Sequence, residues 1–376
     1  MSLRGSLVSR RTYYWADIKT LCFGVVLWEA TALGGSILAD FVSRTSAAIK
    51  AATLFAAVRS EWQIHKLHKL DAYPILLDMG NETAVKKAIL DNEIDFVIHA
   101  AGSIDSSYAL NLVKALGEHG RISGRQTYFI LSSVSMLYSD LNGWPYGKVS
   151  DEEDVFEKER SISTQNPARV TNVSVMELSE ALGVTAFNIG IPFVHGRGSG
   201  EVKKLSTGIP ANIRASIQHK LVHRFDNDGN IPLVHISDLV SFYGIITEKI
   251  LLEEPVPSGK KGYYFVHSHF ASWWSVMQRI AEAMHARGLV TQSSPVVWPD
   301  DDTAAESLGF PRQFLRAMVS SSPEITAVNP YKIGWEPQWN ATKFLGAMDD
   351  EVRDVLEVGG DSNNSIFEFL LSPAEK

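Results

Sequence analysis

Apolar positions in this chain fall into short runs separated by longer amphipathic stretches, beginning near residue 23. Runs at residues 23–27, 53–58, 74–77, 96–99, 128–131 and 185–189 are nearly continuous in apolar, aromatic and β-branched residues. That is the pattern of strands covered on both faces. Between them, residues 36–47, 82–92, 108–119 and 170–182 read as helices, and Asn81 stands where the second of these needs a cap. Strand and helix alternate, so the chain predicts an α/β fold with a doubly wound parallel sheet. After Pro192 the rhythm changes. Loop signals at 195–200 and 226–230, a helical stretch at 209–219, and an aromatic segment from Tyr263 to Trp274 leading into a helix over 273–287 predict a smaller C-terminal substrate lobe. Residues 234–250 are expected to return to the core. The expected division is an N-terminal extension over 1–20, a core over 21–195, the lobe over most of 196–358 and a polar tail over 359–376.

Composition narrows the functional classes. Of the 376 residues, 45% are hydrophobic and 21% charged, an ordinary globular balance that excludes overall disorder. A formal net charge of -8 without a basic stripe repels a phosphate backbone, so small molecules are expected as partners and nucleic acid is not. The single cysteine, Cys22, cannot form an internal disulfide, which points to a reducing, cytoplasmic setting. No Cys/His group has zinc-ligand spacing, and no metal site is expected. Residues 1–16 hold three arginines, three serines and no acid, a composition shared by mitochondrial presequences and by disordered extensions. Residues 21–38 approach the ~18–20 apolar residues of a membrane span. Glu29 in their middle and Gly34-Gly35 near their end favour strand, turn and helix, so no membrane partner is expected.

A dinucleotide in such a sheet needs a glycine-rich turn after the first strand, where backbone approaches the pyrophosphate and a helix N-terminus points at it. The turn here reads Trp28-Glu29-Ala30-Thr31-Ala32-Leu33-Gly34-Gly35. It resembles the Gly-Ala-Thr-Gly-x-x-Gly-Gly loop of the extended short-chain dehydrogenases/reductases, the NAD-dependent epimerase/dehydratase-like family. Gly34 and Gly35 match, whereas Glu29 and Ala32 occupy glycine positions and one residue is missing. Further family-like landmarks recur in order across roughly residues 22–340. Arg59 ends the second strand where the family has an acid for NAD or a base for NADP, so the resemblance implies NADP, with NAD as the alternative. Asp78 matches the aspartate that holds the adenine amino group. His99-Ala100-Ala101-Gly102 resembles the segment lining the adenine ribose, and Pro192, within Gly190-Ile191-Pro192-Phe193-Val194-His195-Gly196, matches the proline beside nicotinamide. Asp238 in Val234-His235-Ile236-Ser237-Asp238-Leu239, and the Trp335-Glu336-Pro337 element, match structural features of the family.

The same resemblance makes Ser133, in Ile130-Leu131-Ser132-Ser133, the hydroxyl that polarises a substrate carbonyl or alcohol. The family's Tyr-x-x-x-Lys pair is missing, because Arg169 and Val173 stand at its positions. Tyr146, with Lys148 two residues on, is the candidate substitute, although that spacing does not reproduce one helical turn. Tyr138 matches a tyrosine of the family's substrate loop. Trp144, Phe193, Trp273 and Trp274 are expected to line a pocket between core and lobe, which favours an apolar or aromatic ligand. The implied function is NAD(P)-dependent hydride transfer on a small carbonyl or alcohol. The missing pair keeps open a second class, a catalytically inactive NADP-binding sensor or scaffold. By analogy with the family, a homodimer is expected.

Overall fold

The computed structural model describes residues 21–23, 32–100, 102–163 and 166–358. Ten strands carry the architecture: β1 (Leu21–Phe23), β2 (Leu54–Val58), β3 (Tyr73–Leu76), β4 (Phe96–His99), β5 (Thr127–Val134), β6 (Val184–Ile191), β7 (Phe193–His195), β8 (Asn230–His235), β9 (Tyr263–Phe265) and β10 (His269–Ser272). Seven of them form one sheet in the order β9-β6-β5-β4-β1-β2-β3, and every neighbouring pair is parallel. The predicted parallel sheet is therefore present. Its seventh strand, β9, comes from the aromatic segment that sequence patterning assigned to the lobe. Three residues are too few to show a period, and Tyr263, Tyr264 and Phe265 are all buried.

The covering helices are α1 (Ala32–Ser43), α2 (Glu82–Asp91), α3 (Ser106–Ser123), α4 (Pro167–Leu182), α5 (Gly208–His219), α6 (Ile236–Leu251), α7 (Trp273–Ala286), α8 (Arg312–Val319) and α9 (Met348–Val358). One face of the sheet is closed by α1 and α6, whose Ile37, Phe41, Leu239, Phe242 and Ile246 join Ile98 and Ile130 in one cluster. The other face is closed by α2, α3 and α4 through Val85, Leu116 and Val175 against Val97 and Phe129. Each such side chain contributes roughly 1.5–3 kcal/mol on burial. Local signals set the helix ends: Asn81 and Asp105 cap α2 and α3, Asn166 caps α4 with Pro167 in its first turn, and Gly183 closes α4 in the left-handed region. A short helix, Glu61–Leu67, was not evident from periodicity but is announced by a Ser60/Gln63 capping box.

Strands β7, β8 and β10 form a second sheet in the order β10-β8-β7. Helices α5, α7, α8 and α9 pack around it in their own cluster, which includes Ile209, Trp273, Met277, Leu315 and Val352. Residues 234–250 split into strand β8 and helix α6, and α6 packs on the core. Asp238 does not cap α6; His235 does, and the Asp238 carboxylate accepts the Gln338 and Trp339 amides at 3.0 and 2.9 Å. Trp335 is buried in the core cluster and donates its indole N–H to the Asp238 carbonyl, which ties the closing segment to α6.

The second sheet gathers histidines in apolar surroundings. The His195 ring lies 5.1 Å from that of His235 and 5.5 Å from that of His269. Burial pushes His195 and His235 down to about 3, and His267, His269 and the core residue His99 down to about 4. Burial acts in the opposite sense on three carboxyls, raising Asp151 to about 6 and Glu159 and Glu351 to about 7. The depressed histidines stabilise the fold above the imidazole range and lose that contribution as pH falls; the raised carboxyls stabilise it at low pH and lose theirs as pH rises. Among these strongly shifted groups, five histidines oppose three carboxyls between about pH 6.5 and 4.5, so on their account the unfolded chain binds more protons. Stability is expected to fall on acidification by on the order of 1–2 kcal/mol per pH unit. A urea midpoint lower at pH 5 than at pH 7 agrees with this balance; a higher one contradicts it.

Candidate active site

All strands of a parallel sheet end at one edge, and where the strand order reverses, between β1 and β4, successive crossovers leave on opposite faces and open a crevice. A cavity of about 350 Å³ lies along this edge and runs under the lobe. Ala100 and Gly102 after β4, Ser132 and Ser133 at the end of β5, Pro192 after β6 and Ala32 at the start of α1 form its core side. Phe193, Gly208, Phe314 and Met318 face them from the lobe.

Strand alternation separates the two serines. Ser132 belongs with Ile130 on the α1/α6 side, and its Oγ lies 2.6 Å from the Tyr243 hydroxyl. Ser133 belongs with Leu131 on the α4 side, and its buried Oγ has no hydrogen-bond partner. An unsatisfied buried hydroxyl costs about 1–3 kcal/mol, a cost that a substrate oxygen in the cavity would remove.

The remaining sequence candidates divide into three groups. Ala100, Gly102 and Pro192 reach the wall with Ser133. Arg59 and Asp78, both exposed, lie at the far end, close enough to the wall residue Tyr108 for their charges to act on its phenol. Burial raises that phenol first, the Asp105 and Asp78 charges raise it further, and Arg59 lowers it. His99, Gly34 and Gly35 are off the cavity wall. His99 is fully buried, stacks on Phe129 and holds the Gly102 carbonyl through Nε2 at 2.8 Å, so it shapes the turn that presents Ala100 and Gly102. Gly34 and Gly35 are helical residues of α1. A Cβ on Gly200 would come within 2.9 Å of the Gly35 backbone, so chain 198–200 packs directly on the helix start, where Ser199 N–H also donates to Ser36 Oγ. Ala101 and the Glu29 turn lie outside the described residues.

The expected acid/base pair is not brought to the cavity. Tyr146 is 41% exposed and its hydroxyl meets Ser161 Oγ at 2.5 Å; Lys148 is exposed, and neither lines the wall. The turn that carries them faces solvent. Arg169, at the family's tyrosine position, is fully buried and is not among the lining residues. Its Nη2 donates to the Leu137 and Asn142 carbonyls at 2.8 and 3.3 Å. Glu159, in the charged segment 157–160, acts on the Arg169 guanidinium electrostatically. Glu159 is fully buried and accepts hydrogen bonds from Tyr138, Tyr263 and Asn172 at 3.2, 2.9 and 2.9 Å. Burial raises the Glu159 carboxyl, and those donors with Arg169 act against the rise. Tyr138 is thus a buried network member. Of the four aromatics expected at the pocket only Phe193 is there. Trp144 and Trp273 are core residues, and Trp274 carries Arg224 over its ring at 3.8 Å. Sequence reading missed Tyr108, Phe314 and Met318. The last two announce themselves only through the three-to-four apolar spacing of α8.

No protein-family model matches the sequence, and no curated protein matches it. Solved structures do match over nearly their whole length. UDP-glucose 4-epimerase from Thermotoga maritima is 13% identical with a TM-score of 0.58, covering 90% of this chain and 99% of its own. The Bifidobacterium longum UDP-glucose 4-epimerase, in complex with NAD+ and UDP, is 15% identical with a TM-score of 0.57, covering 89% of this chain and 98% of its own. A GalE-like L-threonine dehydrogenase from Cupriavidus necator is 12% identical with a TM-score of 0.56, covering 88% of this chain and 99% of its own. Identities this low establish the fold alone, which this chain shares with these epimerases and this dehydrogenase.

Proposed function

We propose that this chain binds NADP(H) along the crevice and serves hydride transfer between the nicotinamide and a small carbonyl or alcohol. The observation that carries the reading is the unpartnered Ser133 hydroxyl on a wall shared with Ala100, Gly102 and Pro192. Small residues on that wall leave room for a flat, extended ligand, which fits the cofactor. Arg59 would face the 2′-phosphate, and Asp78 with Tyr108 would frame the adenine end. A bound nicotinamide supplies or accepts the hydride at C4. Ser133 would donate a hydrogen bond to the substrate oxygen, where negative charge grows as hydride arrives, and the resulting alkoxide would take its proton from water. Ser132 is the adjacent hydroxyl, hydrogen-bonded to the Tyr243 phenol, which burial pushes up. Arg169 holds the backbone of the 137–142 wall rather than touching substrate.

A second reading, cofactor binding without turnover, is favoured by one observation: Arg169 and Val173 replace the tyrosine and lysine, and both are buried and not among the lining residues. Fluorescence titration with NADPH and NADH separates the cases. Saturable NADPH binding is expected, and Arg59→Ala is expected to weaken NADPH about tenfold while leaving NADH within about twofold. No NADPH binding by the intact chain contradicts both readings. Ser133→Ala is expected to reduce NADPH-dependent carbonyl turnover about a hundredfold with cofactor affinity kept. NADPH binding with no turnover across a carbonyl panel selects the second reading.

A further inference from the structure

Ser132 and Ser133 end the same strand, yet their hydroxyls differ in what they can offer. Ser133 Oγ has no hydrogen-bond partner. Ser132 Oγ is tied to the Tyr243 hydroxyl, 2.6 Å away. Tyr243 follows Ile236 and Leu239 at the three-to-four spacing of one face of α6, the face that packs on the core. Side chains of a helix lean toward its N-terminus, so the Tyr243 ring leans toward the Ile236 end of α6, and Ile236 is on the cavity wall.

The two hydroxyls hold two protons and share one hydrogen bond. Whichever of them accepts keeps a proton for a second partner. Tyr243 is fully buried in the apolar cluster with Leu239, Phe242 and Ile246, and among the described residues Ser132 is its one hydrogen-bond partner. Burial raises the phenol and the Ser132 contact lowers it, with no charged group acting on it. Were Ser132 the donor, the phenol proton would be left without an acceptor in apolar surroundings, which disfavours that arrangement by roughly tenfold or more. With Tyr243 as the donor, the remaining proton belongs to Ser132, which stands on the wall on the same side as Ala32, Leu33 and Ile236. A hydroxyl that already accepts a hydrogen bond is also polarised into a stronger donor.

We infer that Tyr243 is a positioning residue: its phenol donates to Ser132 and turns the Ser132 proton into the cavity, as a fixed donor to the carbonyl oxygen of the substrate. The direction of the proton follows from the hydroxyl pair itself; the carbonyl rests on the hydride-transfer reading above. Ser132 keeps its proton throughout, and the alkoxide takes its own from water. Ser133, on the α4 side and without a protein partner, is able to donate or to accept.

Neutron diffraction from D2O-exchanged crystals of the full chain reads the donor sense directly. A deuteron on the Tyr243 oxygen directed at Ser132 Oγ, with the Ser132 deuteron directed into the cavity, is expected. A Ser132 deuteron directed at Tyr243 overturns the inference. Steady-state kinetics with NADPH and a panel of simple aldehydes and ketones reads the consequence. Tyr243→Phe and Ser132→Ala are each expected to lower kcat about tenfold, with KM for NADPH kept within about twofold. Because Tyr243 acts only through Ser132, the double variant is expected to lose no more than Ser132→Ala alone. Losses that multiply in the double variant, or an unchanged kcat in Tyr243→Phe, overturn the positioning role. A wild-type chain that reduces no carbonyl removes the hydride-transfer reading and the carbonyl with it, while the neutron map still decides the donor sense.

Discussion

Parallel pairing of all seven strands is the constraint from which the rest follows. A parallel sheet has to be covered on both faces, and each return crossover brings the chain back to the same starting edge. The opposite edge therefore collects every strand's C-terminus. That convergence places residues as distant in sequence as Ala100, Ser133 and Pro192 on one wall. It also explains the buried pattern of β4 and β5, whose side chains alternate between two hydrophobic clusters rather than between core and water. The lobe adds a roof, and the space between becomes a cavity rather than an open groove.

Arg169 shows what happens when one position in this frame changes chemistry. A guanidinium cannot be neutralised, so a buried one needs hydrogen-bond acceptors and an opposing charge. The Leu137 and Asn142 carbonyls provide the former and Glu159 lies within electrostatic reach. Tyr138, Tyr263 and Asn172 then satisfy Glu159. The network links α4, the loop after β5 and the edge strand β9, and through the Leu137 and Asn142 backbone it reaches the cavity wall. Ser132 and Ser133 stand on the cavity wall with Tyr108, Asp105, Asn142 and Asn166.

Much of this was legible in the sequence. Near-continuous apolar runs identified β2, β4, β5 and β6 within a few residues, because strands buried on both faces leave no alternation to misread. The cap at Asn81 marked a helix start. Edge strand β9 was not legible, since its three residues carry no period and only its pairing with β6 reveals it. In the cavity, the place of the small residues after β4 and of the serines of β5 on the wall was readable because it depends on strand position. Tyr146 and Lys148 stand in an exposed turn off the described wall, and their proximity in sequence said nothing about which way that turn faces. Glu159 was hidden for the opposite reason: its partners Tyr138, Asn172 and Tyr263 come together only in three dimensions.

The central claim is that the crevice at the reversal of strand order holds a nicotinamide dinucleotide. A crystal structure determined with NADPH tests it most directly. The account predicts the adenosine phosphate beside Arg59 and Asp78, the chain of the ligand passing Ala100 and Gly102, and the nicotinamide between Ser133 and Pro192. An empty crevice at saturating NADPH, or the nucleotide bound elsewhere on the surface, would contradict it.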